Sequence, residues 1–132
     1  QVRGDNKLVL PMPFTLVISQ GVIGNQLLGL VSEKHNELFN GNVVVKLHPG
    51  EVGSYKSYAN YEKCSALKNV LFFEDIDVRL LLAECSSVIG VFSTALLQAI
   101  EMEKPVYVLP LDGHEYMLDL IDGKNTKLML QE

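Results

Sequence analysis

Short apolar runs alternate with longer stretches of helical periodicity along this sequence, and the alternation restricts the fold more than any other feature. Several runs, such as residues 43–45 and 106–109, are apolar at every position and rich in β-branched side chains. A strand that is apolar on both faces is expected when helices cover both sides of a parallel sheet. The pattern therefore predicts a three-layer α/β/α fold whose open, mainly parallel sheet has about six strands.

The boundaries of the predicted elements follow from these runs. The strands are predicted at residues 14–19, 43–47, 70–73, 87–92, 106–109 and 127–130. Crossover helices are predicted at residues 24–39, 54–67, 78–85, 94–103 and 115–121. Asp112 and Glu115 match a capping box, in which each side chain accepts a hydrogen bond from a free N–H at a helix start.

The length of 132 residues fits one domain. No repeat or internal linker divides the chain, so we assign residues 14–132 to a single domain. Residues 1–13 lack periodicity and are expected to form an irregular N-terminal segment or the edge of an excised fragment.

Composition excludes several classes of protein. The formal net charge is -5 and the 11 Lys and Arg residues are scattered, unlike the clustered positive charge that binds nucleic acid. No apolar run approaches the roughly 20 residues of a membrane span, and the first residues do not form a signal peptide, so we expect a soluble, cytoplasmic chain. Cys64 and Cys85 lie apart in helical stretches without metal-ligand spacing, which predicts buried free thiols and no zinc site.

Two features place polar groups at the carboxyl edge of the predicted sheet, where ligands bind in open parallel sheets. Ser93 and Thr94 follow the fourth strand and open a helix, so their hydroxyl and N–H groups suit a phosphate. His48 follows the second strand in KLHPG, where Pro49 keeps a helix from starting early. Taken alone, Ser93 also fits a plain N-cap and His48 a structural hydrogen bonder.

The segments that carry these residues resemble the HP and Ser/Thr motifs of bacterial GT-B glycosyltransferases. They read VVVKLHPGE and, about forty-five residues further on, VIGVFSTALLQAIEMEKPVYVL. The most similar groups are the sialyltransferase and polysialyltransferase-like families of capsule and lipooligosaccharide synthesis, and the CDP-glycerol-type polymer transferases are more distant. The resemblance runs from Phe14 to the end of the chain. It implies a Rossmann-like domain that forms the C-terminal, donor-binding half of a glycosyltransferase.

The resemblance implies how the donor phosphate is held. His48, Ser93 and Thr94 would bind it, and His48 would stabilise the negative charge that grows on the leaving nucleotide. Ser19 and Gln20 would form the polar turn that faces the donor. The nucleotide is expected to be CMP first, with UDP and CDP as alternatives.

It also implies contacts to the base and the ribose. Glu74, Asp75 and Ile76 lie where the nucleobase would bind, although an acidic turn capped by Asp77 explains these side chains equally well. Many relatives bind the ribose through a Glu in the helix after the hydroxyl pair, where this chain has Gln98. Gln can still form a hydrogen bond with a hydroxyl, so Gln98 remains a candidate.

This chemistry needs no metal ion or other cofactor, and the DxD-like pattern at residues 75–77 falls where a base loop and a helix cap are expected. In proteins of this resemblance the general base and the glycan acceptor site belong to an N-terminal domain. The isolated chain is therefore expected to bind nucleotide without transferring sugar. Any membrane association is expected to be peripheral and to occur through the full-length protein.

Two other classes of function remain open. Nucleotide-sugar 2-epimerases also bind a pyrophosphate at a helix N-terminus, but the glycine- and glutamate-rich signature associated with them after the fourth strand is missing from this sequence. A non-catalytic receiver-like or flavodoxin-like module would carry an acidic pocket or an FMN-type Ser/Thr loop after the first strand. The sequence SQGVIGN supplies neither clearly.

Overall fold

The computed structural model describes residues 10, 12–21, 23–38, 42–67 and 69–128, without the side chains of 34–38. Its strands are β1 (Phe14–Ile18), β2 (Asn42–Lys46), β3 (Val70–Phe73), β4 (Ser87–Gly90), β5 (Val106–Val108) and β6 (Thr126–Leu128). Its α-helices are α1 (Gly24–Leu38), α2 (Tyr61–Ser65), α3 (Val78–Glu84) and α4 (Thr94–Glu101). Short 3-10 helices span Pro49–Glu51, Tyr55–Ser57 and His114–Leu120.

All six strands lie parallel in one sheet, in the order β3-β2-β1-β4-β5-β6. β1 is central, with Val17 opposite Val45 on one side and Ile89 on the other. The strand order reverses at β1, so the loops after β1 and β4 diverge and leave a crevice at the carboxyl edge of the sheet. The predicted fold, a Rossmann-like α/β/α domain with a parallel sheet, is confirmed.

The core occupies both faces of the sheet because alternate strand residues point to opposite sides. In β1, Val17 packs on one face with α1 and α2, through residues such as Leu27 and Cys64. Leu16 packs on the other face with α3 and α4, through residues such as Leu82 and Leu96. This two-sided burial explains why the strands are apolar at successive positions.

Several predicted strands and helices were too long. Most strands end one or two residues before their predicted ends. The prediction beyond residue 128 lies outside the described residues, as do residues 1–9, 11 and 39. The single helix predicted at 54–67 was wrong, because Tyr58 has an extended backbone (φ -62°, ψ 139°) that separates Tyr55–Ser57 from α2. The predicted last helix is the 3-10 helix His114–Leu120.

The predicted capping box at Asp112 and Glu115 was also wrong. Gly113 occupies the N-cap position in a left-handed conformation (φ 105°), which glycine adopts without strain. The Glu115 carboxylate therefore accepts from the N–H of Gly113, at 3.0 Å, rather than from that of Asp112.

Cys64 and Cys85 are buried free thiols, as predicted. Across the described part of the chain, no helix combines the length and the apolar character needed to cross a membrane.

Candidate functional site

The crevice at the carboxyl edge has a volume of about 990 Å³ and opens between the ends of β1, β2 and β4. This volume lies in the range of sites that bind small organic ligands. Four predicted donor-site residues line it together with His48, namely Ser19, Gln20, Ser93 and Thr94. The fold thus brings together residues that are up to 75 positions apart in the sequence.

The N-terminus of α4 supplies backbone donors to the crevice. Ser93 is the N-cap, and its hydroxyl oxygen accepts from the N–H of Leu96 at 3.3 Å. The first N–H groups of a helix have no partner inside the helix, which leaves those of Thr94 and Ala95 directed to the helix entrance. Both residues line the crevice. The N-cap role and an anion-binding role are therefore compatible at this helix start.

His48 is exposed on the opposite wall and caps the turn that follows β2. The ring Nδ1 of His48 accepts from the backbone N–H of Gly50 at 3.0 Å. The backbone N–H of His48 donates to the Glu51 carboxylate at 2.9 Å. An Nδ1 that accepts has no proton, so the neutral imidazole carries its proton on Nε2. His48 thus offers an N–H donor from a ring whose orientation is fixed by its own turn.

Ser19 and Gln20 follow β1 at the floor of the crevice. The Gln20 side-chain oxygen accepts from the N–H of Phe92 at 2.9 Å, which ties the β1 loop to the β4 loop across the point where the strand order reverses. This bond occupies the side-chain oxygen of Gln20, so its NH₂ group is the part that can donate to a ligand. Ser19 is only 3% exposed, and its hydroxyl donates to Glu51 at 2.9 Å.

Lys46 is a crevice residue that sequence reasoning missed. Its Nζ donates to the carbonyl oxygens of Leu47 at 2.8 Å and Glu74 at 3.4 Å. Burial lowers the pKa of the Lys46 ammonium below its ordinary value of 10.5, while the charges of Asp75 and Glu51 oppose that shift. A positive charge at the end of β2 favours an anionic ligand. The available signal in the sequence was the position of Lys46 two residues before His48.

Glu51 and Tyr58 were missed as well. Glu51 is 1% exposed, and its second carboxylate oxygen accepts from the hydroxyls of Ser19 at 2.9 Å and Tyr58 at 2.8 Å. Burial, and then the bond to Glu51, raise the pKa of Tyr58 to about 12, so the hydroxyl remains a donor at neutral pH. Tyr58 lines the crevice, whereas Glu51 lies behind it.

The residues predicted at the base site do not line this crevice. The Glu74 carboxylate accepts from the Tyr55 hydroxyl at 2.7 Å, Asp75 is exposed, and Ile76 packs against the core. Asp77 caps α3 and pairs with Arg79 at 2.8 Å, and hydrogen bonding to Arg79 lowers the pKa of Asp77 to about 2. The N-cap role given to Asp77 is confirmed, and base contacts by the loop stay a prediction.

Gln98 lies one turn into α4, half-buried and outside the crevice lining, so its ribose contact also stays a prediction. Within the described ranges, no three His, Cys, Asp or Glu side chains are grouped as metal ligands would be.

Comparison with known proteins gives a family match and a fold match. The sequence profile of a protein family described as "capsule polysaccharide biosynthesis protein" matches residues 1–113. A search of curated proteins by sequence finds no match. Two structures of UDP-GlcNAc 2-epimerase from Methanocaldococcus jannaschii superpose with TM-scores of 0.64 and 0.67, at 14% and 11% identity, over 89% and 92% of this chain. The first was solved in complex with UDP-GlcNAc and UDP.

The glycosyltransferase SnogD from Streptomyces nogalater is also similar, with a TM-score of 0.58 and 19% identity over 94% of this chain. At such identities the likeness concerns the fold alone. The chain spans about a third of each solved protein, namely 34%, 36% and 34% of their lengths.

Proposed function

This chain belongs to the capsule polysaccharide biosynthesis protein family, and from that premise we propose that its crevice binds the nucleotide of a nucleotide-sugar donor for a glycosyltransferase. The observation that carries the proposal is the meeting of two kinds of N–H donor in one crevice. The free N–H groups of Thr94 and Ala95 stand at the α4 start, and the Nε2–H of His48 belongs to the opposite wall. Such a pair of donors suits a phosphate better than a neutral ligand.

The chemical role of these groups is to stabilise the leaving nucleotide. As the bond between the sugar and the phosphate oxygen breaks, negative charge grows on that phosphate. Donors that are already oriented stabilise this charge without reorganising during the reaction. His48 and the α4 N–H groups would act in this way, and Lys46 would add a positive charge beside them. The protein would contribute no nucleophile.

The identity of the nucleotide and the rest of the enzyme complete the proposal. CMP is the first candidate for the nucleotide and UDP the second, and a sialyltransferase-like use of CMP-sugars rests on the sequence resemblance. The glycan acceptor and the general base would be supplied by a second domain. The donors of this crevice are N–H groups, so binding through them does not depend on a metal ion. The fold likeness to UDP-GlcNAc 2-epimerase favours a nucleotide-sugar 2-epimerase as the second candidate.

Calorimetric titration of the chain with CMP, CDP, UDP and GDP tests the proposal. We expect one pyrimidine nucleotide to bind saturably. His48→Ala should weaken binding about tenfold, the typical effect of losing a hydrogen bond to a charged group. Ser93→Ala should weaken it about as much, because it removes the cap that orders the Thr94 and Ala95 N–H groups at the α4 start. Ser86→Ala is the matched control, because Ser86 also loses a hydroxyl bond, to Phe14 O at 2.9 Å, but at the amino edge of the sheet. Equal binding by all three variants would contradict the proposed site.

The two enzyme candidates are separated by their products. Incubation of the chain together with its second domain, the donor and an acceptor glycan would release the nucleotide if the sugar is transferred. A 2-epimerase would instead return a nucleotide-sugar that is inverted at C2, without any acceptor.

A further inference from the structure

The most deeply buried charged side chain near the crevice is the Glu51 carboxylate, at 1% exposure. It accepts three hydrogen bonds, from the His48 N–H at 2.9 Å, the Ser19 hydroxyl at 2.9 Å and the Tyr58 hydroxyl at 2.8 Å. Glu51 is the acceptor in all three bonds. No cation in the described part of the chain forms an ion pair with it.

The three donors share one property: each belongs to a residue that lines the crevice, while Glu51 itself does not. They come from three different segments, which are the loop after β1, the turn after β2 and the stretch before α2. The carboxylate also fits against the start of α1, where Gly24 has no side chain. A Cβ at position 24 would overlap a carboxylate oxygen of Glu51 and would lie 2.8 Å from the Tyr58 hydroxyl. Glu51 therefore lies behind one wall of the crevice and links three of the residues that form it, Ser19, His48 and Tyr58.

The connection to His48 is the most direct. Glu51 and His48 cap the same short turn reciprocally: Glu51 accepts from the His48 N–H, and the His48 ring accepts from Gly50. The bond to Glu51 holds the turn, and the turn holds the Gly50 N–H against Nδ1 of the ring. The same geometry keeps the proton on Nε2 and so decides which ring nitrogen can donate to a ligand.

Stability alone is a poor explanation for this arrangement. A carboxylate that is buried without a direct ion pair carries a desolvation cost even with the Lys46 ammonium nearby, and a negative charge beside an anion site opposes binding of the ligand. A neutral glutamine of the same shape would avoid both costs, since the hydroxyls of Ser19 and Tyr58 can rotate to accept from its NH₂ group.

We propose that Glu51 is a positioning residue, whose carboxylate orients His48 for the donor phosphate and fixes the Ser19 and Tyr58 wall of the crevice. The proposal rests on the proposed nucleotide binding at this crevice. It assigns Glu51 no contact with the ligand.

The test compares Glu51→Gln with the wild-type chain in three measurements. These are the thermal unfolding midpoint, the affinity for CMP and UDP by calorimetry, and the ¹⁵N NMR signals of the His48 ring, which report the nitrogen that carries the proton. We expect an unfolding midpoint no lower than that of the wild type. Because a neutral amide oxygen accepts more weakly from the His48 backbone N–H than a carboxylate does, we also expect nucleotide binding weakened about tenfold and ring signals that shift towards exchange between the two tautomers. A merely structural role would lower the midpoint and leave the ring signals of the folded protein unchanged.

Tyr58→Phe keeps the test decisive if Glu51→Gln does not fold. It removes one donor to the carboxylate and leaves His48 and Glu51 intact, so the ring signals and the affinity should shift in the same direction by less. Tyr107→Phe is the matched control, because Tyr107 lies within β5 and outside the crevice lining. We expect it to change neither measurement.

Two outcomes separate this proposal from the one on which it rests. If the wild type binds CMP or UDP, and Glu51→Gln binds it equally with unchanged ring signals, the positioning role is overturned and nucleotide binding stands. If the wild type binds neither nucleotide while the ring signals still shift in Glu51→Gln, nucleotide binding is overturned and the control of His48 by Glu51 stands.

Discussion

The fit between Gly24 and Glu51 allows a prediction whose size follows from the structure. In Gly24→Ala, the new Cβ would overlap the Glu51 carboxylate and approach the Tyr58 ring to 2.9 Å. Overpacking of this kind costs about 1–3 kcal/mol, and the better helix propensity of Ala returns up to about 1 kcal/mol. We expect a net loss of about 1–2 kcal/mol in the free energy of unfolding, together with weaker nucleotide binding.

Urea unfolding followed by circular dichroism measures this loss, and Gly53→Ala is the control. A Cβ at Gly53 meets no heavy atom within 4 Å, so its effect should stay within about 0.5 kcal/mol. A second comparison places Gly24→Ala in a Glu51→Ala background, which lacks the carboxylate that the new Cβ would overlap. The cost should fall there by about 1 kcal/mol, which is the coupling of two residues in contact. The same cost in both backgrounds, or a Gly24→Ala chain as stable as Gly53→Ala, would refute the packing described for Glu51.

Three further predictions concern stability and reactivity. Because burial lowers the Lys46 pKa in the folded chain, Lys46 makes a contribution to the unfolding free energy that rises with pH just below 10.5, while the raised pKa values of Tyr58 and Cys64 act in the opposite direction. In a pH series of urea titrations, Lys46→Met should therefore make the unfolding free energy fall more steeply with pH there than in the wild type, and an unchanged slope would count against the buried ammonium. Leu96→Ala should cost about 2–5 kcal/mol in the same assay, since Leu96 is fully buried against β4, and a loss below 1 kcal/mol would argue against this packing of α4. Burial raises the pKa of Cys64 to about 11 and that of Cys85 above its usual value, so a disulfide reagent at pH 8 should label the two thiols only after unfolding; rapid labelling of the native chain would contradict their burial.

The fold could be predicted because its signal is repeated along the chain. Each strand is short, apolar and β-branched, and the helices between strands force neighbouring strands to run parallel. Strand ends were less predictable, because apolar residues such as Val91 and Leu109 continue to pack on the core after the ladder has ended. The break at Tyr58 was not predictable from local propensity. It accompanies a side-chain contact that propensity does not register, the bond from the Tyr58 hydroxyl to Glu51 seven residues earlier.

The site was predictable where a local motif coincided with a strand end. His48 follows β2 and Ser93 follows β4, so the rule for open parallel sheets placed both at the carboxyl edge. Glu51 had no such signal, since its partner Ser19 is 32 residues away and a histidine N-cap is not part of the usual capping-box pattern. The opposite error occurred at Asp112 and Glu115, where the capping-box pattern was present in the sequence but Gly113 occupies the N-cap position.

An NMR titration that maps the bound nucleotide onto the chain tests nucleotide binding in the crevice most directly. CMP is added to ¹⁵N-labelled protein, and the backbone amide signals are followed to saturation, with UDP as the second ligand. Binding at the point where the strand order reverses should shift the amides of Gln20, Gly50, Thr94 and Ala95, and leave that of Ser86 at the amino edge unchanged. Saturable shifts centred elsewhere, or no shifts with either nucleotide at millimolar concentration, would contradict donor binding by this crevice.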